Sequence, residues 1–582
     1  MVELRRFGPT VVAVVVAVTV TLGFTVGLPY VASDGSENVS STDGSVPAPT
    51  SDEFDADGDP PATVNDFPTF SEVGRKVGVR YQATYRGRAI MTSSGVYVAD
   101  FNNDGYEDLL ALGGDRPVLF ENTHGNFTKA RAFNHSDVRS AHFFDFDNDG
   151  WRDLLLAQYG GELLFYENTG GSFERRDVGL DRQVRNPTAI TTADFTGDGY
   201  LDVFVGQNGL WQSNSALNIQ EQREVYDYHP HVRPRTSPAN PNLLFDGNGE
   251  NFTDITETAG IRGSNWTLAV SAADFTGNGY PDIHVGNDFS ADIIYENNGN
   301  GTFDRRTMGV ASDRNAMASA VQDMNGDHHL DLYVTNVYIP ARAEMNMPPY
   351  DMSVIIAVPE GNNYYVNDGS GEFTDRAAEK GVRKGGWGWA ATIADYNNDG
   401  HLDIVHGASS AIPVEPYDEY DHIQMFKGTP GSWQKVNETD HGMEEISTRG
   451  IARVDFDNDG RLDIAVATSS WGRREEVRAT EFRLYENHPG SGESLQLFVR
   501  DPNGVERNGA VYVKTDRRVI RRTVNARSGF NSQDSRLIHV GTAHEEVQSV
   551  TVVWPSGNVT TYDSLESGNR YVLKPNSAER VE

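Results

Sequence analysis

The chain has 582 residues, no cysteine, and 49 Lys and Arg against 84 Asp and Glu, a formal charge of −35. Without cysteine there are no disulfides, thiolate nucleophiles or zinc–thiolate sites, and the charge sets the chain against nucleic acid and anionic membrane surfaces as partners. A hydrophobic content of 38 %, with 10 % aromatics and 58 glycines, supplies packed cores and favours an all-β architecture over disorder.

At the N-terminus, Arg5 and Arg6 precede an apolar run from Val11 to Ala32, of a length that spans a bilayer. Residues 1–32 therefore read as a signal peptide or an N-terminal membrane anchor, and both remain open. Either way the arginines stay inside, the rest is exported, and the protein is extracellular or cell-surface, touching a membrane only through this segment. Residues 33–65 are rich in Ser, Asp, Gly, Pro and Thr and carry no apolar period; they predict a disordered acidic linker. Asn-x-Ser/Thr tripeptides at Asn38, Asn126, Asn251, Asn300, Asn437 and Asn558 permit glycosylation.

From Asp100 onward a nine-residue pattern recurs seven times, beginning at Asp100, Asp145, Asp194, Asp274, Asp323, Asp395 and Asp455; DFDNDGWRD from Asp145 is typical. Oxygen-bearing side chains at positions 1, 3, 5 and 9, with a backbone carbonyl at 7, converge on one point if a Gly at position 6 turns the loop sharply. That is the ligand order of a calcium loop. The candidate ligands are Asp100, Asn102, Asp104 and Asp108; Asp145, Asp147, Asp149 and Asp153; Asp194, Asp198 and Asp202; and Asp274, Asn278 and Asp282. The later copies add Asp323, Asn325, Asp327 and Asp331; Asp395, Asn397, Asp399 and Asp403; and Asp455, Asp457, Asp459 and Asp463. Turn formation alone accounts for Asn-Asp-Gly, but not for Asp at both positions 1 and 9 in all seven copies. An EF-hand is excluded, because position 12 lacks its Glu (Ala111 in the first copy) and the flanks read as strands. Seven Ca²⁺ would bring the charge from −35 to −21. The Asp274 copy, with only two carboxylates, is expected to bind most weakly, and His328, standing where other copies have Gly, is expected to strain its loop. Position 2 is always Phe, Tyr or Met and predicts an apolar plug into the core.

Each loop is followed by a strand-like run such as LLALG or IAVAT, and most of these by a strand–turn–strand motif such as IIYENNGNGTFDRRTMGV (293–310). One unit thus supplies four strands, the content of a propeller blade. The last unit lacks its final strand after FRLYEN (482–487), and the missing piece stands at the front as FPTFSEVGRKVGV (67–79). Closing the last blade with the first segment leaves no open sheet edge. Residues 66–490 are predicted to form a seven-bladed β-propeller, 491–575 a small β domain packed on it, and 576–582 a tail.

The seven loops resemble FG-GAP/VCBS repeats. GGWGWAATIADYNNDG (385–400) resembles the start of a blade in the cartilage acidic protein family, and RNGAVYVK (507–514), SGFNSQDSRLIHVG (528–541) and VTVVWPSG (550–557) resemble an ASPIC/UnbV domain. IHVG departs from that domain's usual phenylalanine-containing stretch. The resemblance implies an extracellular calcium-binding propeller with an adhesion or interaction role, and no catalytic residues to carry over. The composition itself, acidic with only eight lysines, resembles that of proteins from salt-loving archaea.

The residues just past each calcium-following strand, among them Asp115, Gln158, Gln207, Asn208, Asn287, Asp288 and Asn336, are expected to rim one mouth of the channel, either as a site for a polar ligand such as a glycan or peptide or as a hydrated mouth with no dedicated ligand. The insertions at 208–241, with His229 and His231, at 338–362, with Met345, Met347 and Met352, and at 410–425 are candidates for partner contact; Trp387 and Trp389 read as a packed blade start. Two functions stand: a calcium-binding interaction module for an extracellular protein or glycan, or a polysaccharide hydrolase or lyase using rim carboxylates. No Gly-x-Ser-x-Gly, His-Glu-x-x-His or phosphate-cradling loop is present, which favours the first.

Overall fold

Each aspartate loop joins two strands whose side chains are mostly apolar or small on both faces, so the strands pair and bury together. In a computed structural model of the protein, Gly95–Ala99 pairs antiparallel with Asp108–Leu112, Ala99 lying opposite Asp108. The Asn/Gly turn that follows sets Val118–Thr123 against Asn126–Ala132. The described residues are 39–42, 67–83, 94–180, 183–208, 240–261, 266–288, 290–308, 315–338, 361–409, 422–468, 480–488, 492–500, 509–524 and 528–581. The apolar segment 1–32, most of the linker, and the stretches with His229, His231, Met345, Met347 and Met352 lie outside them.

Among the described residues, seven such four-stranded sheets follow one another. Their first strands are Gly95–Ala99, Val138–Phe144, Pro187–Ala193, Trp266–Ala273, Ala318–Gln322, Gly388–Ala394 and Thr448–Val454. Each lies beside the first strand of the next sheet, and Thr448–Val454 returns to Gly95–Ala99. The sheets are the blades of a closed β-propeller, with these strands lining the axis. The seventh blade takes its fourth strand from the front of the chain, Phe70–Glu72, with Phe70 opposite Asn487, as the likeness of 67–79 to other blade ends predicts.

An apolar core fills each gap between blades. Tyr97 and Leu110 of the first blade meet Phe143 and Leu154 of the second. The ring-closing core joins Val96 and Leu109 to Ala452, Val454 and Phe482 of the seventh. The position-2 plugs (Phe101, Phe146, Phe195, Phe275, Met324, Tyr396 and Phe456) are all buried; burying one such side chain contributes about 1.5–3 kcal/mol.

The C-terminal residues form two further sheets around a shared core that includes Leu497, Val511, Val550, Trp554 and Tyr571. Val39–Thr42 joins one of them as an edge strand, Val39 opposite Tyr562. Those four residues therefore depart from the disorder predicted for 33–65, their backbone pairing with Val559–Asp563 at the edge of the sheet.

A short hairpin leaves this domain, Ser528–Gly529 pairing with Ser532–Gln533. Between them its two strands lie beside the first strands of all seven blades, a position only the axis offers. Packing on the propeller was expected of the C-terminal domain; part of it instead runs inside the propeller. Among the described residues no helix is long and apolar enough to cross a membrane.

Candidate functional site

The aspartate loops are closed by one repeated set of bonds. In the second, Asp145 accepts from the backbone N–H of Asp149 and of Gly150 at 3.2 and 2.9 Å, and Asp149 accepts from Trp151 N–H at 2.8 Å. Asp153 accepts from Phe146 N–H at 2.9 Å and from Asn168 N–H at 2.8 Å, so the ninth-position carboxylate ties the loop to the blade's third strand. The first and seventh loops repeat the pattern through Asp100, Asp104 and Asp108 and through Asp455, Asp459 and Asp463. In the third, Asp194, Asp198 and Asp202 do the same, Asp202 reaching Gly247 N–H. The fourth uses Asp274, Asn278 and Asp282, the fifth Asp323, Asp327 and Asp331, and the sixth Asp395, Asp399 and Asp403. At position 3, Asn102, Asn325 and Asn397 point their amides at the fifth-position carboxylates. His328 holds φ at 68°, the left-handed region that glycine occupies in the other copies.

Oxygens of Asp145, Asp147 and Asp149 lie within 4.8 Å of one another, as do those of Asp455, Asp457 and Asp463. Asp457 Oδ1 is buried without a hydrogen-bond partner. Burial, and after it the mutual repulsion of the loop carboxylates, lifts Asp108 to about 9, Asp153 to about 8 and Asp145 to about 7. Asp403 and Asp463 are pushed well above the ordinary range for the same reasons. An oxygen-only, carboxylate-rich cluster withdrawn from water and holding an orphaned oxygen fits a hard divalent cation such as Ca²⁺. Positions 1, 3, 5 and 9 and the seventh carbonyl would hold it. In the fourth loop the Asn278 amide nitrogen donates to Asn297 O at 2.9 Å, and only Asp274 and Asp282 supply carboxylates there.

Two features lie beyond the sequence reading. The first is a latch between blades. Asn168, buried at the end of the second blade's third strand, donates to Phe101 O at 2.7 Å in the first blade and to Arg152 O at 3.0 Å in its own. Asn122, Asn297, Asn367 and Asn487 make the same bridge, and Asn122 reaches Phe456 O across the ring closure at 2.7 Å. The recurrent Asn of the ENT, ENN and VND turns was the available signal. The second is the C-terminal domain's seat on the loops. Arg570 Nη2 lies 2.8 Å from Asp455 Oδ2, which Gln496 Nε2 also contacts at 2.7 Å. His539 meets Asn398 at 2.6 Å, and Arg518 reaches the carbonyls of Asp399 and Gly400.

Of the predicted rim, Gln207, Asn208, Asn287, Asp288 and Asn336 are buried. Gln207 donates to Pro241 O at 2.6 Å, Asn287 to Ala291 O at 2.9 Å, and Asn336 to Asn363 Oδ1 at 2.8 Å. Asn208 donates to Thr267 O at 3.4 Å and Asp288 accepts from Asn315 at 2.6 Å. These side chains brace strand ends to neighbouring loops and strands. Gln158 is half-buried and Asp115 exposed. Trp387 and Trp389 are buried, as read.

Propeller, loops and C-terminal domain together define the class: the chain carries FG-GAP-like repeats, matched at 100–156, 145–205, 274–334 and 351–406, and an ASPIC and UnbV domain, matched at 503–580. Among individual proteins it is similar to cartilage acidic protein 1 of Mus musculus, 23 % identical over 320 residues, covering 53 % of this chain and 45 % of that one. Cartilage acidic protein 1 of Homo sapiens is 22 % identical over 328 residues, covering 55 % and 46 %. The chain thus spans about half the length of the curated relatives it matches. Among solved structures, an N-acetylglucosamine-recognising lectin of Agrocybe aegerita matches with 18 % identity and a TM-score of 0.37, over 68 % of this chain and 100 % of that one. YCF48 bound to D1 peptide matches with 10 % identity and a TM-score of 0.38, over 72 % and 95 %.

Proposed function

We propose that the protein is an exported interaction module whose propeller is stabilised by up to seven Ca²⁺ ions and which presents its surface to an extracellular protein or glycan. The observation that carries this is the convergence of Asp145, Asp147 and Asp149 oxygens within 4.8 Å. No lysine or arginine of the loop itself offsets that charge except Arg152. Export rests on Arg5, Arg6 and the apolar run after them, and the adhesive role on the resemblance to cartilage acidic protein. Extracellular calcium modules bind at about 10⁻⁴–10⁻³ M, and saturation at 100-fold over that constant stabilises a site by about 2.7 kcal/mol. The hydrolase or lyase reading has little to draw on, since Asp288 is buried against Asn315 and the axis is filled. Calorimetric calcium titration of the exported portion, followed by glycan and matrix-protein arrays with calcium and with chelator, tests the proposal. Calcium-dependent melting and a calcium-dependent array signal are expected; no bound calcium, or turnover of a polysaccharide, overturns it.

A further inference from the structure

The first strand of every blade is an edge strand, with its outer hydrogen-bonding side turned to the axis. An open edge is a template for another strand. Here the hairpin supplies one: Ser532 and Gln533 pair in parallel with Val96 and Tyr97, and Val96 N–H donates to Asn531 O at 3.0 Å. The Gln533 side-chain amide extends the pairing to the second blade, accepting from Phe143 N–H at 2.8 Å and donating to Phe143 O at 2.9 Å. Backbone bonding of this kind gives affinity without selecting a sequence, whereas pockets for side chains select it.

Such pockets are present. Phe530, fully buried, sits among Leu268, Met317, Val337, Trp387 and Trp389, its ring 5.1 Å from that of Trp389. Asp534 accepts from Arg453 N–H and from the Thr392 hydroxyl, both at 3.0 Å. The propeller is cut to admit this segment: a Cβ on Gly95 would lie 2.6 Å from Asn531 O, and one on Gly450 2.9 Å from it. Both glycines sit at the same place in their blades' first strands, where Ala189 and Ala269 stand in others.

We propose that the axial channel is a peptide-recognition site and that residues 529–537 are its cis occupant. The channel selects an extended segment with a buried aromatic, a side-chain amide three residues on and a carboxylate after that. The same segment of a second copy takes the site when the cis copy is weakened. None of this depends on the loops holding calcium.

The test uses the full chain and a fluorescent peptide of residues 528–538, followed by anisotropy. A tethered ligand competes at an effective concentration of roughly millimolar, so the parent protein is expected to bind free peptide at least about tenfold more weakly than F530A or Q533A. Each variant is expected to bind one peptide per chain, and a peptide with Phe530 replaced by Ala is expected to fail. Adding Gly450→Val to F530A closes the path and is expected to abolish binding. Three results overturn the proposal: folded F530A and Q533A that ignore the peptide, binding by the parent as tight as by the variants and unaffected by Gly450→Val, or loss of the fold in both variants. The last would make the hairpin an integral part of the core.

Discussion

Replacing Asn168 by Ala tests whether the buried asparagines hold blade to blade. The side chain is fully buried, donates to Phe101 O at 2.7 Å and Arg152 O at 3.0 Å, and accepts from Gly171 N–H at 2.9 Å. Truncation removes three bonds and leaves buried carbonyls with no replacement donor. A net hydrogen bond contributes about 1 kcal/mol, and a buried group left unsatisfied costs roughly 1–3 kcal/mol. The expected loss is therefore about 3–5 kcal/mol. Asn168→Asp should be no milder, because it points a carboxylate at the same two carbonyls. Asn126, exposed in the neighbouring turn of the first blade, serves as control, and N126A should stay within about 0.5 kcal/mol. Urea unfolding at fixed calcium reads the difference, and amide exchange should quicken in the first two blades before the rest. A loss below about 1 kcal/mol for N168A would refute the latch, since it would mean that water or a shifted backbone satisfies those carbonyls at little cost.

In the cation-free protein Arg570→Met leaves Asp455 buried without its guanidinium, a change that typically costs about 3–5 kcal/mol. The C-terminal sheets should become sensitive to limited proteolysis while the blades stay protected; unchanged sensitivity would contradict the contact's role. The loop carboxylates give a pH test. Asp108 and Asp153 titrate near 9 and 8 in the folded chain against an ordinary 3.8. Raised folded-state values mean that the cation-free fold binds more protons at these groups than the unfolded chain, so stability is lowest above pH 9 and rises as pH falls toward about 6.5, below which buried His142, His406 and His539, with lowered values, begin to oppose it. Protons and calcium compete for the same oxygens, so the calcium-induced gain in Tm should shrink over that window. A chelated protein whose Tm falls from pH 9 to about pH 6.5 would contradict this.

Much of the ring was legible in the sequence because it repeats. An Asp at positions 1 and 9 marks each loop, the apolar position 2 marks each core, and the orphaned FPTF segment marks the closure at Phe70–Glu72. The rim reading placed Asn287 and Asn336 correctly at strand ends but gave them to solvent. Chain position does not reveal that the loop at Ala291 and the strand Asn363–Asn367 supply their bonding partners. The axial hairpin was hidden for a related reason. SGFNSQDS entered the sequence reading only as part of a resemblance, and only the ring of open strand edges makes a buried place for its polar side chains. Asn168 and its equivalents drew no role from the sequence because their partners lie in the preceding blade, out of reach of any local pattern.

Cations held by the recurrent aspartates, as proposed, would lock the closed ring of blades. Diffraction from crystals grown with calcium, recorded at a wavelength where calcium scatters anomalously, is the decisive test. Anomalous peaks are expected inside the loops, strongest among Asp145, Asp147 and Asp149 and among Asp455, Asp457 and Asp463, and weakest at Asp274. Loops ordered as described here but empty of any peak at saturating calcium would contradict the proposal.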